Sequence, residues 1–76
     1  MSPESLVDEA RRLMADGKSR RAADMLITAA SGCQDPELAA RIRDLGQDGL
    51  DRAGRFGKGP WKEVVRIAGA RAGTPV

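Results

Sequence analysis

Apolar residues recur along the chain at the spacing of an α-helix, and no stretch alternates at period two for long enough to predict a strand. The segment 19–31 is apolar around most of its helical circumference, and such a helix has to be enclosed by neighbouring helices. The flanking segments are each apolar on one face only. In the first segment that face has Val7 at its edge and comprises Leu6, Ala10, Leu13, Met14 and Gly17. The pattern therefore predicts an all-α fold: one domain of four helices in two αα-hairpins, at about residues 3–16, 19–31, 36–53 and 60–70.

Capping residues divide the chain into these helices. Ser2-Pro3-Glu4 and Asp35-Pro36-Glu37 each combine a capping side chain, a proline at the first helical position and an acid in the first turn. Gly17 is predicted to end the first helix in the left-handed conformation, and Ser19 to cap the second. Because the turn between them is so short, the first two helices must be antiparallel neighbours.

Two glycines lie inside the predicted third helix. Gly46 and Gly49 fall on its apolar face, where each is less favourable for helix formation than alanine by about 1 kcal/mol. Their position predicts close approach of another helix, and a break near Gly46 is the alternative. Gly32 is predicted to end the second helix, and residues 72–76 to form a frayed tail.

Size and cysteine content restrict how the domain is stabilised. A chain of 76 residues buries only about 60% of the surface that its unfolded form exposes. Cys33 is the only cysteine and histidine is absent, which excludes an intramolecular disulfide and a Cys/His zinc site. Self-association or a protein partner is therefore the expected source of additional stability.

Composition indicates a cytoplasmic protein. The polar start and the lack of an apolar run near ~18 residues argue against a signal peptide and a transmembrane helix, so no membrane contact is expected. A lone thiol fits a reducing compartment. Abundant alanine, arginine and glycine, with no asparagine or tyrosine, suggest a GC-rich bacterial or phage genome.

Catalysis is not predicted. Histidine and tyrosine, two common acid–base residues, are absent, and Cys33 lies beside acids rather than beside the cations that activate a thiol. The remaining acidic residues are interpreted as exposed side chains on helical faces, where they pair with nearby arginines. We therefore expect no metal, no cofactor and no small-molecule substrate.

The first hairpin, from Leu6 to Pro36, resembles a tetratricopeptide repeat. That family places large, small and large apolar residues in its first helix, glycine at the turn, and alanine, a large residue and alanine in its second helix. A proline then begins the next repeat. The matching residues here are Leu6, Ala10, Leu13, Gly17, Ala22, Leu26, Ala29 and Pro36. The second hairpin matches less well because residues 56–60 are an insertion, and a generic four-helix bundle is the alternative.

The resemblance implies a scaffold that binds a protein segment on a concave face, lined by the first helix of each hairpin. Carried over by position, that face comprises Glu4, Val7, Arg11, Met14, Arg41, Asp44 and Asp48. Two hairpins are fewer than the three or so repeats that normally stand alone. This departure favours self-association or a place in a larger assembly.

Trp61 has two interpretations. Its ring either closes the edge of the hydrophobic core, with the indole N–H at the surface, or anchors an interface with a partner. Because the second interpretation would be functional, Trp61 is included with the candidate partner-binding residues.

The C-terminal part is basic. Residues 1–50 carry 7 basic and 9 acidic side chains, whereas residues 51–76 carry 6 basic and 2 acidic ones. The loop 54–59 is rich in glycine and precedes a helix N-terminus, but it lacks the Gly-Lys-Ser/Thr ending of a nucleotide-binding loop. The simplest interpretation of this loop is a flexible, solvent-exposed connection between the third and fourth helices. The functional alternative is contact with nucleic acid through Arg55, Lys58, Lys62 and Arg66.

A helix-turn-helix would be another form of that alternative. The third helix would then present Arg41 and Arg43 to the DNA groove, although acids on the same helix would repel the phosphates. Taken together, the sequence predicts a small non-catalytic protein–protein interaction module, either a homo-oligomer or part of a larger assembly. The alternative is a small bacterial or phage DNA-binding regulator.

Overall fold

The computed structural model describes residues 2–54 and 57–73, which form four helices. In chain order these are α1 (Pro3–Ala15), α2 (Ser19–Gly32), α3 (Pro36–Arg52) and α4 (Lys58–Arg71). No strand occurs in this part of the chain, so the predicted all-α class is confirmed. Each helix end lies within two residues of its predicted position.

Side chains cap α1 and α3 as predicted. The Ser2 hydroxyl accepts a hydrogen bond from the Ser5 amide at 3.3 Å, and the Asp35 carboxylate accepts one from the Glu37 amide at 3.0 Å. The predicted Ser19 cap is wrong: Ser19 is itself the first helical residue, and no described side chain caps α2. Because the preceding turn already delivers Ser19 in helical geometry, its hydroxyl lies past the capping position.

Gly17 ends α1 in the left-handed region, with a φ of +80°. The Gly17 amide donates to the Met14 carbonyl at 3.1 Å, and the Lys18 amide donates to the Leu13 carbonyl at 2.8 Å. This pair of bonds is a Schellman motif. It turns the chain back so that α2 packs antiparallel on α1.

Two helices, α2 and α4, are longer than predicted at one end. Gly32 does not terminate α2 but is its last helical residue, without a positive φ. Helix α4 begins at Lys58 rather than at Pro60, because the Gly57 amide closes a turn on the Gly54 carbonyl at 3.0 Å. Pro60 then lies in the first turn of α4, where an N–H would have no partner within the helix.

Helix α2 is the centre of the core, and it packs against all three other helices. Its half-buried Met25 and Ile27 flank the buried face, while Asp24 and Thr28 are exposed. The buried residues of α2 are Ala22, Ala23, Leu26, Ala29 and Ala30. Because most of these side chains are small, the neighbouring helices approach closely. The enclosure predicted for this segment is confirmed over most of its circumference.

Helix α3 is continuous through Gly46 and Gly49. A Cβ atom at residue 46 would lie 2.6 Å from Val64 Cγ1, and one at residue 49 would overlap with the indole ring of Trp61. Helix α4 therefore packs directly on the backbone of α3. The predicted close approach is confirmed, and the alternative of a break does not occur.

Contacts at both ends show that α2 and α4 are parallel. Near their C-termini, the Arg71 guanidinium donates to the Ser31 carbonyl at 3.0 Å. Near their N-termini, Arg20 and Pro60 line the same cleft. Since α1 is antiparallel to α2, and α3 to α4, helices α1 and α3 are also parallel. These two helices touch each other at few points.

The buried face of α1 is wider than the predicted one, because it extends fully to Val7. Val7, predicted at the edge of the apolar stripe, is buried, whereas Leu6 and Met14 are half-buried. The reason is that α1 contacts α3 as well as α2. Val7 lies on the side of α1 that faces α3, and Leu6 on the side that faces α2.

Candidate functional site

A groove of about 590 Å³ lies between the parallel helices α1 and α3, and we name it the α1–α3 groove. Its lining residues recur at every third or fourth position, so each helix contributes one face. They are Glu4, Val7, Asp8 and Arg11 from α1, and Leu38, Arg41, Asp44, Leu45 and Asp48 from α3. Because α1 and α3 touch at few points, the space between them is not filled by their own side chains.

Apolar side chains form the floor of the groove. Val7 is 6% exposed and Leu38 is 8% exposed, and both belong to the hydrophobic core. Leu45 is half-buried and packs against the same core. Since these side chains are held by the core, they present a fixed apolar strip between the two helices.

Charged side chains form both walls. They comprise four carboxylates, Glu4, Asp8, Asp44 and Asp48, and two guanidiniums, Arg11 and Arg41, for a net charge of −2. Asp44 pairs with Arg43 at 3.6 Å and Asp48 with Arg52 at 3.3 Å, both within α3. Arg52 is exposed, and an exposed pair of this kind contributes only about 0–1 kcal/mol. A bound cation can therefore replace Arg52 at little cost, whereas the Arg43 side chain is half-buried.

The other four charged groups of the walls have no ion-pair partner in the part of the chain that the structure describes. Glu4, Asp8, Arg11 and Arg41 form no ion pair with any residue in the ranges 2–54 and 57–73. The groove thus presents both signs of charge beside an apolar strip, with carboxylates in excess.

Most of the predicted partner-binding residues meet in this groove: Glu4, Val7, Arg11, Arg41, Asp44 and Asp48. Met14 does not line it, because its half-buried side chain packs against the core. Three further lining residues were not predicted: Asp8, Leu38 and Leu45. Helical spacing alone would have found them, since Asp8 follows Glu4 by four residues, and Leu38 and Leu45 lie within four residues of Arg41.

Trp61 lies in the core rather than on a binding surface. Its side chain is 2% exposed, and its ring lies on the α3 backbone at Gly49. The prediction that Trp61 binds a partner is therefore corrected, because a buried ring offers almost no surface. Its interpretation as a core residue agrees with the structure.

The basic side chains of α4 form a second surface. Lys58, Lys62 and Arg66 follow one another at intervals of four residues and are all exposed, so they share one face, which we name the α4 stripe. Arg66 also donates a hydrogen bond to Glu63. This bond lowers the pKa of the Glu63 carboxyl and raises the pKa of Arg66. The predicted contact residue Arg55 lies outside the described residues.

The helix-turn-helix alternative would present Arg41 and Arg43 together to DNA. Arg41 lines the groove beside α1, whereas Arg43 lies towards α4, with its Cδ atom 3.9 Å from where a Cβ of Gly69 would be. The two side chains therefore lie on different sides of α3. They do not form the common reading surface that this alternative requires.

Cys33 is a buried free thiol. It is 2% exposed, and its Sγ donates a hydrogen bond to the Asp35 carbonyl at 3.2 Å. Among residues 2–54 and 57–73, no three His, Cys, Asp or Glu side chains are grouped so that they could hold a metal ion.

None of the four described helices is both long enough and apolar enough to cross a membrane. Comparisons of the chain with protein-family models, curated proteins and solved structures found no match.

Proposed function

We propose that this chain is a small non-catalytic interaction module that binds a segment of a protein partner in the α1–α3 groove. The observation that carries the proposal is an apolar floor between two charged walls in one groove. Burial of an apolar side chain on the floor would supply affinity. The charged walls would set the position and direction of the bound segment.

The chemistry of the groove suits a peptide better than a small molecule. Six of its nine lining residues are charged, whereas small-molecule sites are mostly apolar with a few placed polar groups. From Arg41 to Asp48 the wall on α3 runs for about 10 Å, the rise of seven helical residues. A groove between two helices is also a recurring site for a short amphipathic helix.

The tetratricopeptide resemblance supports the same use of the fold. It assigns partner binding to the first helix of each hairpin, and α1 and α3 are those helices. The non-catalytic part of the proposal rests on composition, since the chain has no histidine and no tyrosine. The lone buried Cys33 is consistent with a cytoplasmic location.

The proposal is tested by capture from a nuclease-treated lysate with three forms of the immobilised protein. The groove variant carries Asp44→Lys and Asp48→Lys. The control variant carries Asp16→Lys and Asp51→Lys, which reverse two exposed carboxylates outside the groove. We expect a protein captured by the wild type and the control to be lost by the groove variant. Equal capture by all three forms would overturn the proposal.

Nucleic acid binding through the α4 stripe is the second candidate. It is favoured by the alignment of Lys58, Lys62 and Arg66 on one exposed face. Three phosphate contacts predict a slope of about −2.7 for log K against log salt concentration. Replacing Lys62 and Arg66 with alanine should reduce that slope to about −0.9. A salt-independent affinity would exclude this candidate.

A further inference from the structure

The α4 stripe and the α1–α3 groove have matching lengths. Lys58 and Arg66 are eight residues apart, which places the ends of the stripe about 12 Å apart along the helix axis. The walls of the groove run from Glu4 to Arg11 and from Arg41 to Asp48, about 10 Å each. A helix carrying such a stripe can therefore place its cations along the whole groove.

The two surfaces are also opposite in charge. The stripe carries three cations, with Glu63 as the acid bonded to Arg66. The groove carries four carboxylates against two guanidiniums. Half-buried Val65 packs towards the α3 backbone at Gly46, so the exposed surface that α4 offers to a second copy is the row of cations.

One copy of the chain cannot join these surfaces by itself. Helix α4 packs against α2 and α3, and within the described part of the chain it makes no contact with α1. The Lys58, Lys62 and Arg66 side chains point away from the packed face of α4 and do not line the groove. The complementary surfaces can therefore meet only between molecules.

We propose that the α4 stripe of one copy lies in the α1–α3 groove of a second copy. This inference rests on the proposed function of the groove and names its occupant. The contact joins two different surfaces, so it is heterologous, and repeated contacts produce a ring or an open chain. Such association would also stabilise a small domain whose own free energy of unfolding is low.

The first measurement is sedimentation velocity of nuclease-treated wild-type protein across the micromolar to millimolar range. We expect the average mass to rise with concentration at low ionic strength. It should fall in 1 M salt, where the screening length drops to about 3 Å. A protein that stays monomeric at low ionic strength would overturn the inference.

A charge-swap experiment tests the two surfaces directly. The groove variant carries Asp44→Lys and Asp48→Lys, and the stripe variant carries Lys62→Glu and Arg66→Glu. Each variant alone should associate about tenfold more weakly than the wild type, because attractive pairs become repulsive ones. A mixture of the two variants should associate again, since each surface then meets one of opposite charge.

Two controls make the outcome decisive. The Asp16→Lys, Asp51→Lys variant should associate like the wild type, and circular dichroism should show unchanged helix content in every variant. If charge reversal disturbs folding, Asp44→Asn with Asp48→Asn and Lys62→Gln with Arg66→Gln should still weaken association. Association that survives both reversals, or that the mixture fails to restore, would contradict the proposed contact.

The result also separates this inference from the proposed function of the groove. A monomeric chain whose groove variant loses a captured foreign protein would overturn self-association alone. A chain that self-associates without using the groove, and whose captured proteins are unaffected by the groove variant, would overturn both.

Discussion

The indole ring of Trp61 lies directly on the backbone of Gly49, and no side chain can be placed between them. This contact sets the distance between α3 and α4. It also explains why the only tryptophan of the chain is buried beside a helical glycine.

The Gly49→Ala variant should be less stable than the wild type. The added methyl group overlaps with the Trp61 ring, and overpacking of this kind costs about 1–3 kcal/mol. The better helix propensity of alanine offsets up to about 1 kcal/mol of this cost. Because three atoms of the ring overlap with the added group, we take the upper end of that cost, about 3 kcal/mol, and expect the free energy of unfolding to fall by about 2 kcal/mol. Urea denaturation followed by circular dichroism and Trp61 fluorescence measures this change.

Gly32→Ala is the matched control for that variant. Residue 32 is the last helical residue of α2, has no positive φ, and would place its Cβ more than 4 Å from other atoms. The substitution should leave stability unchanged or raise it by up to about 1 kcal/mol. Equal losses in both variants would show that the Trp61–Gly49 contact does not set the packing distance.

A second pair of variants tests the helix caps. Asp35→Ala removes the acceptor of the Glu37 amide and should lower the free energy of unfolding by about 1 kcal/mol. Ser19→Ala should cause no loss, because Ser19 is helical and caps nothing. Thermal and urea denaturation of the two variants provides the comparison. A larger loss for Ser19→Ala would contradict the observed start of α2.

Cys33 should be protected from thiol reagents in the folded protein. Its sulfur is enclosed by the core and bonded to the Asp35 carbonyl, so modification requires opening of the structure. We expect the rate of reaction with Ellman's reagent to rise with urea in parallel with the unfolded fraction. The fully unfolded chain supplies the reference rate. Rapid labelling in native buffer would place the thiol at the surface.

The Glu63–Arg66 bond should be visible in a pH titration. Because Arg66 lowers the pKa of Glu63 in the folded chain, the contribution of this pair to stability is complete above the ordinary carboxyl pKa. This contribution begins to decrease as the pH falls below the ordinary carboxyl pKa, about 4.3. It is lost as the pH falls further, through the lowered pKa of Glu63. Arg66→Gln should raise the pKa of Glu63 towards its ordinary value, as measured by carboxyl chemical shifts. Arg52→Gln, on α3, should leave the Glu63 pKa unchanged.

The tetratricopeptide resemblance, rather than helical spacing, predicts most of the groove residues. It places Val7 and Arg11 on one helix and Arg41 and Asp48 on the other on a common face, and these four residues line the groove. Met14 follows Val7 by seven residues on the same side of α1, but it lies beyond the short contact between α1 and α3 and does not line the groove. No pattern within α1 reports that contact, since the residues that cause it are more than twenty positions away in the chain.

The positions of the helices are decided by local sequence. The caps at Ser2 and Asp35, the turn at Gly17 and the apolar periodicity each act within a few residues, so they can be recognised without the fold. The burial of Trp61 and the open groove between α1 and α3 are decided by tertiary structure. Both depend on how distant helices approach one another, and the close approach at Gly46 and Gly49 is what brings α4 onto α3.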